Sequence, residues 1–472
     1  MNNKINNFKK IEVNYRYFKM AISHYTKMIS NKKYKAIKKL YYATQLKGPH
    51  MDFFHLPYSL NKKTLDENFK KFQRKIIKSI NNLLMSEKNN LFLHKEIVHA
   101  IIEQVKIVLS LHDDYWSNYG FSNAQIFDIK QTYNIYKLFL ETYLNRIDNS
   151  EITIKLNDSI YEMCLFVSLT IKINPNDLQK FALLRINELI KKIESITNLT
   201  FTDSISHYKN NRIIIKNETE LTSYTMTYIL QLYESMHNMF SNDSTIKILD
   251  PHKVKIKSVP LLRSMWSSDV KISGNYLFLN MSNINSYTKE SLLLLCAHAV
   301  MPGLIMYKHN SNKIIDSYLK KNNNHSNIKK LITNGPHIIY AGFSSYSETI
   351  MIDLYENVLE LYFSQLLHAV NIVIDTGLHS SMVDYKFTVN NAKMFMKKLT
   401  ILNDDAINAN VLKCLASPGQ ICAYDFGYAN LKVLEQKMIE KGYSIKEYYS
   451  LIYKLPLPLK ILHKYINEMP NK

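Results

Sequence analysis

Thr288-Lys289-Glu290-Ser291-Leu292-Leu293-Leu294-Leu295-Cys296-Ala297-His298-Ala299-Val300-Met301-Pro302-Gly303 reads as a capped, deeply buried helix that carries one histidine and then meets a proline. Thr288 suits an N-cap, because its hydroxyl can accept from an orphan amide of the first turn. The leucine run behind it implies burial on every side, so His298 should sit on a central helix. A zinc-hydrolase helix needs two imidazoles one turn apart, a glutamate beside the first, and a further acidic ligand from elsewhere. Here Ala299 stands in place of the glutamate, and Pro302 stands one turn after His298 where the second histidine belongs. Leu304 and Ile305 cannot bind an ion, and His309 would lie about three turns on if the helix continued. Taken alone, His298 reads as a satisfied core histidine.

Upstream, Val254-Lys255-Ile256-Lys257 alternates with period two, and Gly274-Asn275 precedes Tyr276-Leu277-Phe278-Leu279, so two short strands should flank the way into this helix. Ile97, Ile101, Val105 and Val108 form one apolar stripe, with Glu96, Glu103 and Lys106 largely off it, which predicts an amphipathic core helix. The chain has 472 residues, 46% of them hydrophobic and 12% aromatic, enough for a large core. Its 10 glycines and 11 prolines are too few for a turn-rich β architecture. The class is therefore mainly α. A soft division falls near residue 150, where Asp148-Asn149-Ser150 precedes a possible strand, Ile152 to Leu156. It suggests an N-terminal helical cap over residues 1–150 and a second domain over 151–472, or one continuous domain. Lys320 to Asn327, K-K-N-N-N-H-S-N, reads as an insertion loop.

Four blocks, in order, resemble the bacterial domain-of-unknown-function 885 family, a metallopeptidase-like group. Its motif H-E-x-x-P-G-H-H is matched at His298, Pro302 and Gly303 and departs at Ala299, Leu304 and Ile305. Its block E-G-W-A-x-Y-x-E is similar to Ala341 through Glu348, with Ala341 for the first glutamate while Tyr346 and Glu348 remain. V-V-D-T-G-x-H matches Val373 through His379, and P-G-Q-x-x-x-Y-x-x-G matches Pro418-Gly419-Gln420, Tyr424 and Gly427. Weaker similarity reaches back through Asn176-Asp177-Leu178 and Arg185. The resemblance implies a large helical metallopeptidase-like fold, with a small β-sheet beside a deep central cleft.

It also implies that His298, Glu348, Asp375, His379, Gln420 and Tyr424 gather around that cleft. In a working relative the tyrosine and histidine outside the metal shell would hold a substrate carbonyl or stabilise an oxyanion. If any activity survives, its catalytic groups would be His298, Asp375, His379 and Tyr424, with Tyr346, Glu348 and Gln420 binding ligand. Zinc is not expected as a cofactor, because Ala299, Leu304, Ile305 and Ala341 replace the ligands and the base. Glu348 needs a cationic partner if buried. The blander reading makes Asp375 the cap of a turn at Thr376-Gly377, with His379 on the surface beyond it.

The functional expectation is thus a peptidase-like protein that binds a peptide- or amino-acid-like ligand, or a partner protein, in the old cleft. The alternative is a zinc-independent enzyme acting on an amide or amino-acid derivative through His298, Asp375 and His379. A third reading, nucleic-acid binding, follows from the net charge of +20. That charge is lysine spread among asparagines, without the arginine and aromatic clusters that grip phosphate and stack bases, so nucleic acid is not the expected partner. Cys164, Cys296, Cys414 and Cys422 form no C-x-x-C pair and read as reduced thiols. No signal-like apolar run follows Met1 to Lys10, and no stretch of about twenty uncharged apolar residues appears. The expected location is cytoplasmic, with no membrane span.

Overall fold

The structure is a computed structural model that describes residues 16–28, 30–54, 62–148, 156–237, 239–240, 246–259, 270–320, 338–355 and 358–472. The expected strand at Ile152–Leu156, apart from its last residue, and most of the Lys320–Asn327 loop lie outside the described residues.

The mainly helical expectation is borne out. An N-terminal group contains α1 (Lys62–Glu87), α2 (Lys95–Ser110) and α3 (Asn123–Asp148), with shorter helices between them. The stripe read from sequence is the inner face of α2, where Ile97, Ile101, Val105 and Val108 are buried. There follow α4 (Asp158–Leu169), α5 (Pro175–Thr197) and α6 (Glu218–Met236), then β1 (Lys255–Val259), β2 (Val270–Ser273) and β3 (Tyr276–Asn280). The remainder contains α7 (Lys289–Ala299), α8 (Leu304–Lys320), α9 (Phe343–Ile350), α10 (Leu359–His379), α11 (Asp404–Ala416), α12 (Ala423–Glu440), α13 (Ile445–Lys454) and α14 (Leu459–Glu468). Buried apolar residues from Tyr17 to Ile466 join in one cluster.

The sheet has the order β1-β3-β2. Both predicted strands are present as β1 and β3, paired in parallel with Ile256 opposite Leu277. The unforeseen β2 is antiparallel to β3 across the Gly274 turn. Leu277 and Leu279 point into the core, and the chain passes from β3 through a 3-10 turn into α7. There Thr288 and Ser291 form a reciprocal capping box, so the threonine cap holds.

Helix α7 does not continue towards His309. It stops at Ala299, and the chain turns so tightly that a Cβ on Gly303 would lie 2.0 Å from the His298 carbonyl oxygen. The Tyr453 hydroxyl donates to the Pro302 carbonyl and pins this break to α13. Although Lys289–Lys313 is long and apolar enough by composition to cross a membrane, it is split here into two helices and 72% of its most apolar window is buried.

A second expectation fails in α10. Asp375-Thr376-Gly377 is not a turn: it continues the helix to His379, and Asp375 and His379 are 0% and 4% exposed. The glycine is needed for close approach. A Cβ on Gly377 would meet the Phe387 ring at 2.3 Å and the Tyr385 carbonyl at 2.5 Å. Because it is apolar nearly all round, α10 is a central helix, packed on α5, α7, α9, α11 and α12.

Candidate functional site

His298 occupies the last turn of α7, and its Nδ1 lies 2.5 Å from Oε1 of Glu348 on α9. A carboxylate accepts, so Nδ1 carries the hydrogen and Nε2 is left for whatever approaches from solvent. Side-chain exposures of 23% for His298 and 2% for Glu348 make the glutamate the buried anchor and the imidazole the accessible end. The Glu348 carboxylate also accepts from Ser364 Oγ at 3.4 Å. One residue earlier, Ser347 Oγ donates to the Ala297 carbonyl at 3.0 Å, so successive residues of α9 bind successive residues of α7. The partner that Glu348 meets is thus an imidazole, not a lysine or arginine.

Tyr424, in the first turn of α12, lies flat against two imidazoles. Its ring centroid is 5.9 Å from that of His298 at 17°, and 4.7 Å from that of His368 at 14°. His368 comes from α10, and its Nδ1 is sealed from water with no hydrogen-bond partner among the described residues. Burial, with the neighbouring His298 and Lys413, pushes its pKa down to about 3, so it is neutral at physiological pH. Lys413 of α11 places Nζ 5.5 Å from the Tyr424 centroid.

Asp375 and His379 belong to a second, inward-facing group. Oδ2 of Asp375 accepts from the Tyr161 hydroxyl at 2.6 Å, from the Gly419 amide at 2.8 Å and from Cys422 Sγ at 3.4 Å. Burial raises this carboxyl to about 7 against the opposing effect of those donors. His379 Nε2 meets the Cys414 carbonyl at 3.1 Å, and its ring stacks on Tyr161 at 5.4 Å. The two groups are joined through the chain: Asp375 fixes Gly419 and Cys422, and Tyr424 follows directly on the helix they launch.

The remaining predicted positions fall as follows. Tyr346 is 1% exposed, and its hydroxyl donates to Glu435 among the rings of Tyr448 and Tyr449, away from His298. Gln420 is half-buried in the turn before α12, where its amide donates to Ser417. Ala299, Ile305 and Ala341 are core residues, and Leu304 is partly buried against the same core. Ala341 lies in a π-helical turn, Ile338–Gly342, that leads into α9. Among the described residues, no group of three or more His, Cys, Asp or Glu side chains is arranged to hold a metal ion. His368, Lys413 and Tyr161 were not foreseen. His368 could have been found by counting two turns back from Asp375 along α10.

Fold and site together define a large helical protein with an accessible imidazole held by a buried carboxylate beneath a stacked tyrosine. The chain belongs to the family of bacterial proteins of unknown function DUF885, which matches residues 67–466. No curated protein matches it in sequence. Among solved structures, the “putative lipoprotein” of Colwellia psychrerythraea is 16% identical, with a TM-score of 0.72 over 90% of this chain and 80% of that one. A “putative lipoprotein of unknown function” from Shewanella oneidensis is 14% identical, with a TM-score of 0.60 over 90% of this chain and 83% of that one. Both neighbours carry the name putative lipoprotein, which goes against the cytoplasmic expectation.

Proposed function

We propose that this chain binds a peptide- or amino-acid-like ligand, free or as a segment of a partner protein, in a cleft beside the His298–Glu348 pair, without zinc-peptidase chemistry. The observation that carries the reading is the 2.5 Å contact between His298 and Glu348. It keeps a polar, oriented imidazole in a place where Ala299, Ile305 and Ala341 have become core. A neutral Nε2 accepts from a peptide N–H and a protonated one donates to a carbonyl, with Tyr424 bracing the imidazole from its side. For location, the names of the structural neighbours favour a membrane-anchored protein outside the cytoplasm.

Calorimetric titration with acetyl-trialanine is expected to show binding that weakens about tenfold or more in His298→Ala, as loss of one well-placed hydrogen bond with its anchor would produce. Glu348→Gln should weaken it less, because an amide oxygen still accepts from Nδ1. Stoichiometric zinc by elemental analysis, together with hydrolysis of the peptide, would overturn the reading.

A second reading, zinc-independent acid–base catalysis on an amide, is favoured by the accessible Nε2. Asp375 and His379 direct polar atoms to Tyr161, Gly419, Cys422 and Cys414, so this reading rests on His298 and Glu348. It predicts chelator-resistant turnover that disappears in His298→Ala and persists in His379→Asn.

A further inference from the structure

Lys413 is a half-buried cation beside the proposed site, and among the described residues no carboxylate lies within ion-pair distance of it. Its ammonium lies over Tyr424, the same ring that stacks on His298. The nearby buried carboxylate, Glu348, is engaged by His298 and Ser364. A cation over an aromatic face gains only about 0.5–1 kcal/mol at a partly exposed position, so the contact with Tyr424 leaves the solvated ammonium able to pair with a carboxylate that a ligand brings. His368, which also stacks on Tyr424, is neutral and offers no counter-charge. Lys413 therefore sits beside Tyr424 with no carboxylate partner among the described residues, while the carboxylate of Glu348 is held by His298.

We infer that Lys413 is the charge anchor of this site and that the ligand presents a carboxylate to it, with its amide portion towards His298. The inference rests on the peptide-binding reading above and deepens it. A terminal carboxylate of a peptide and an acidic side chain within one share the same chemistry, and the two are separable by probe.

The test titrates the full chain calorimetrically with acetyl-trialanine as the free acid, acetyl-trialanine carboxamide, and acetyl-Ala-Glu-Ala carboxamide. The free acid should bind about tenfold more tightly than its carboxamide, as expected for one partly desolvated charge pair, and added salt should erode that difference. Lys413→Met, which keeps the apolar stem, should abolish the preference, and Lys413→Arg should retain it. Tight binding of the glutamate peptide would identify a side-chain carboxylate as the source, and weak binding a terminal one. Equal affinity of acid and carboxamide, or a preference surviving in a folded Lys413→Met, would overturn the assignment while leaving peptide binding intact. Binding of no probe by the unaltered chain would instead remove the peptide reading, and Lys413's role with it.

Discussion

Asp375→Ala is expected to cost about 4 kcal/mol of folding stability, read as a shift in the urea midpoint. Truncation strands the Tyr161 hydroxyl and the Gly419 amide, each a buried donor worth about 1–3 kcal/mol when left unsatisfied, and opens a cavity inside α10. Asp375→Asn keeps an acceptor and should cost less, but it should change the pH dependence. Burial raises the folded carboxyl from 3.8 to about 7, so between those values the folded chain holds a proton that the unfolded chain releases. This contribution is fully present below about pH 4 and is lost as pH rises through 7. Glu360, raised to about 7 by burial, acts in the same direction. The stability difference between the unaltered chain and Asp375→Asn should therefore shrink or reverse from pH 4 to pH 8; a difference constant across that range would contradict the protonated, buried state of Asp375.

Gly427→Ala should be nearly as damaging, at about 3 kcal/mol. A Cβ there would lie 2.5 Å from the Gly342 Cα, and the reciprocal Cβ on Gly342 would lie 2.6 Å from the Gly427 Cα. Both obstacles are backbone, so the π-helical turn and α12 must separate, at the upper end of the usual overpacking cost. That separation would also draw Glu348 on α9 from Tyr424 on α12, so ligand affinity should fall with stability. Gly274→Ala is the control: its φ of +59° carries a conformational cost of about 1 kcal/mol, but nothing lies within 4 Å. If Gly427→Ala is no worse than this control, the two helices are not in register-fixing contact.

The sequence made elements legible where one periodicity dominated. The Ile97–Val108 stripe, the Thr288 cap and the Val254 and Tyr276 strands all appear because local pattern and tertiary burial agree there. It misled at Asp375-Thr376-Gly377, whose turn chemistry is overridden by the approach of Phe387 to a helical glycine. Pairwise partners were the least visible layer. That a buried Glu348 needs a partner followed from burial cost, but that His298 is that partner depends on how α7 and α9 cross. Lys413 looked like one of many surface lysines, and only the fold brings it over Tyr424.

All four cysteines are free and buried, and burial pushes each thiol well above its ordinary pKa. A thiol that is neither ionised nor reachable cannot react with an alkylating reagent until its surroundings open. The chain thus has its own set of clocks. Cys414 and Cys422 time breathing of the Asp375 layer, while Cys296, two residues before His298, times the fraying of α7, and the rate at which each is labelled would rank which wall gives way first without a single substitution.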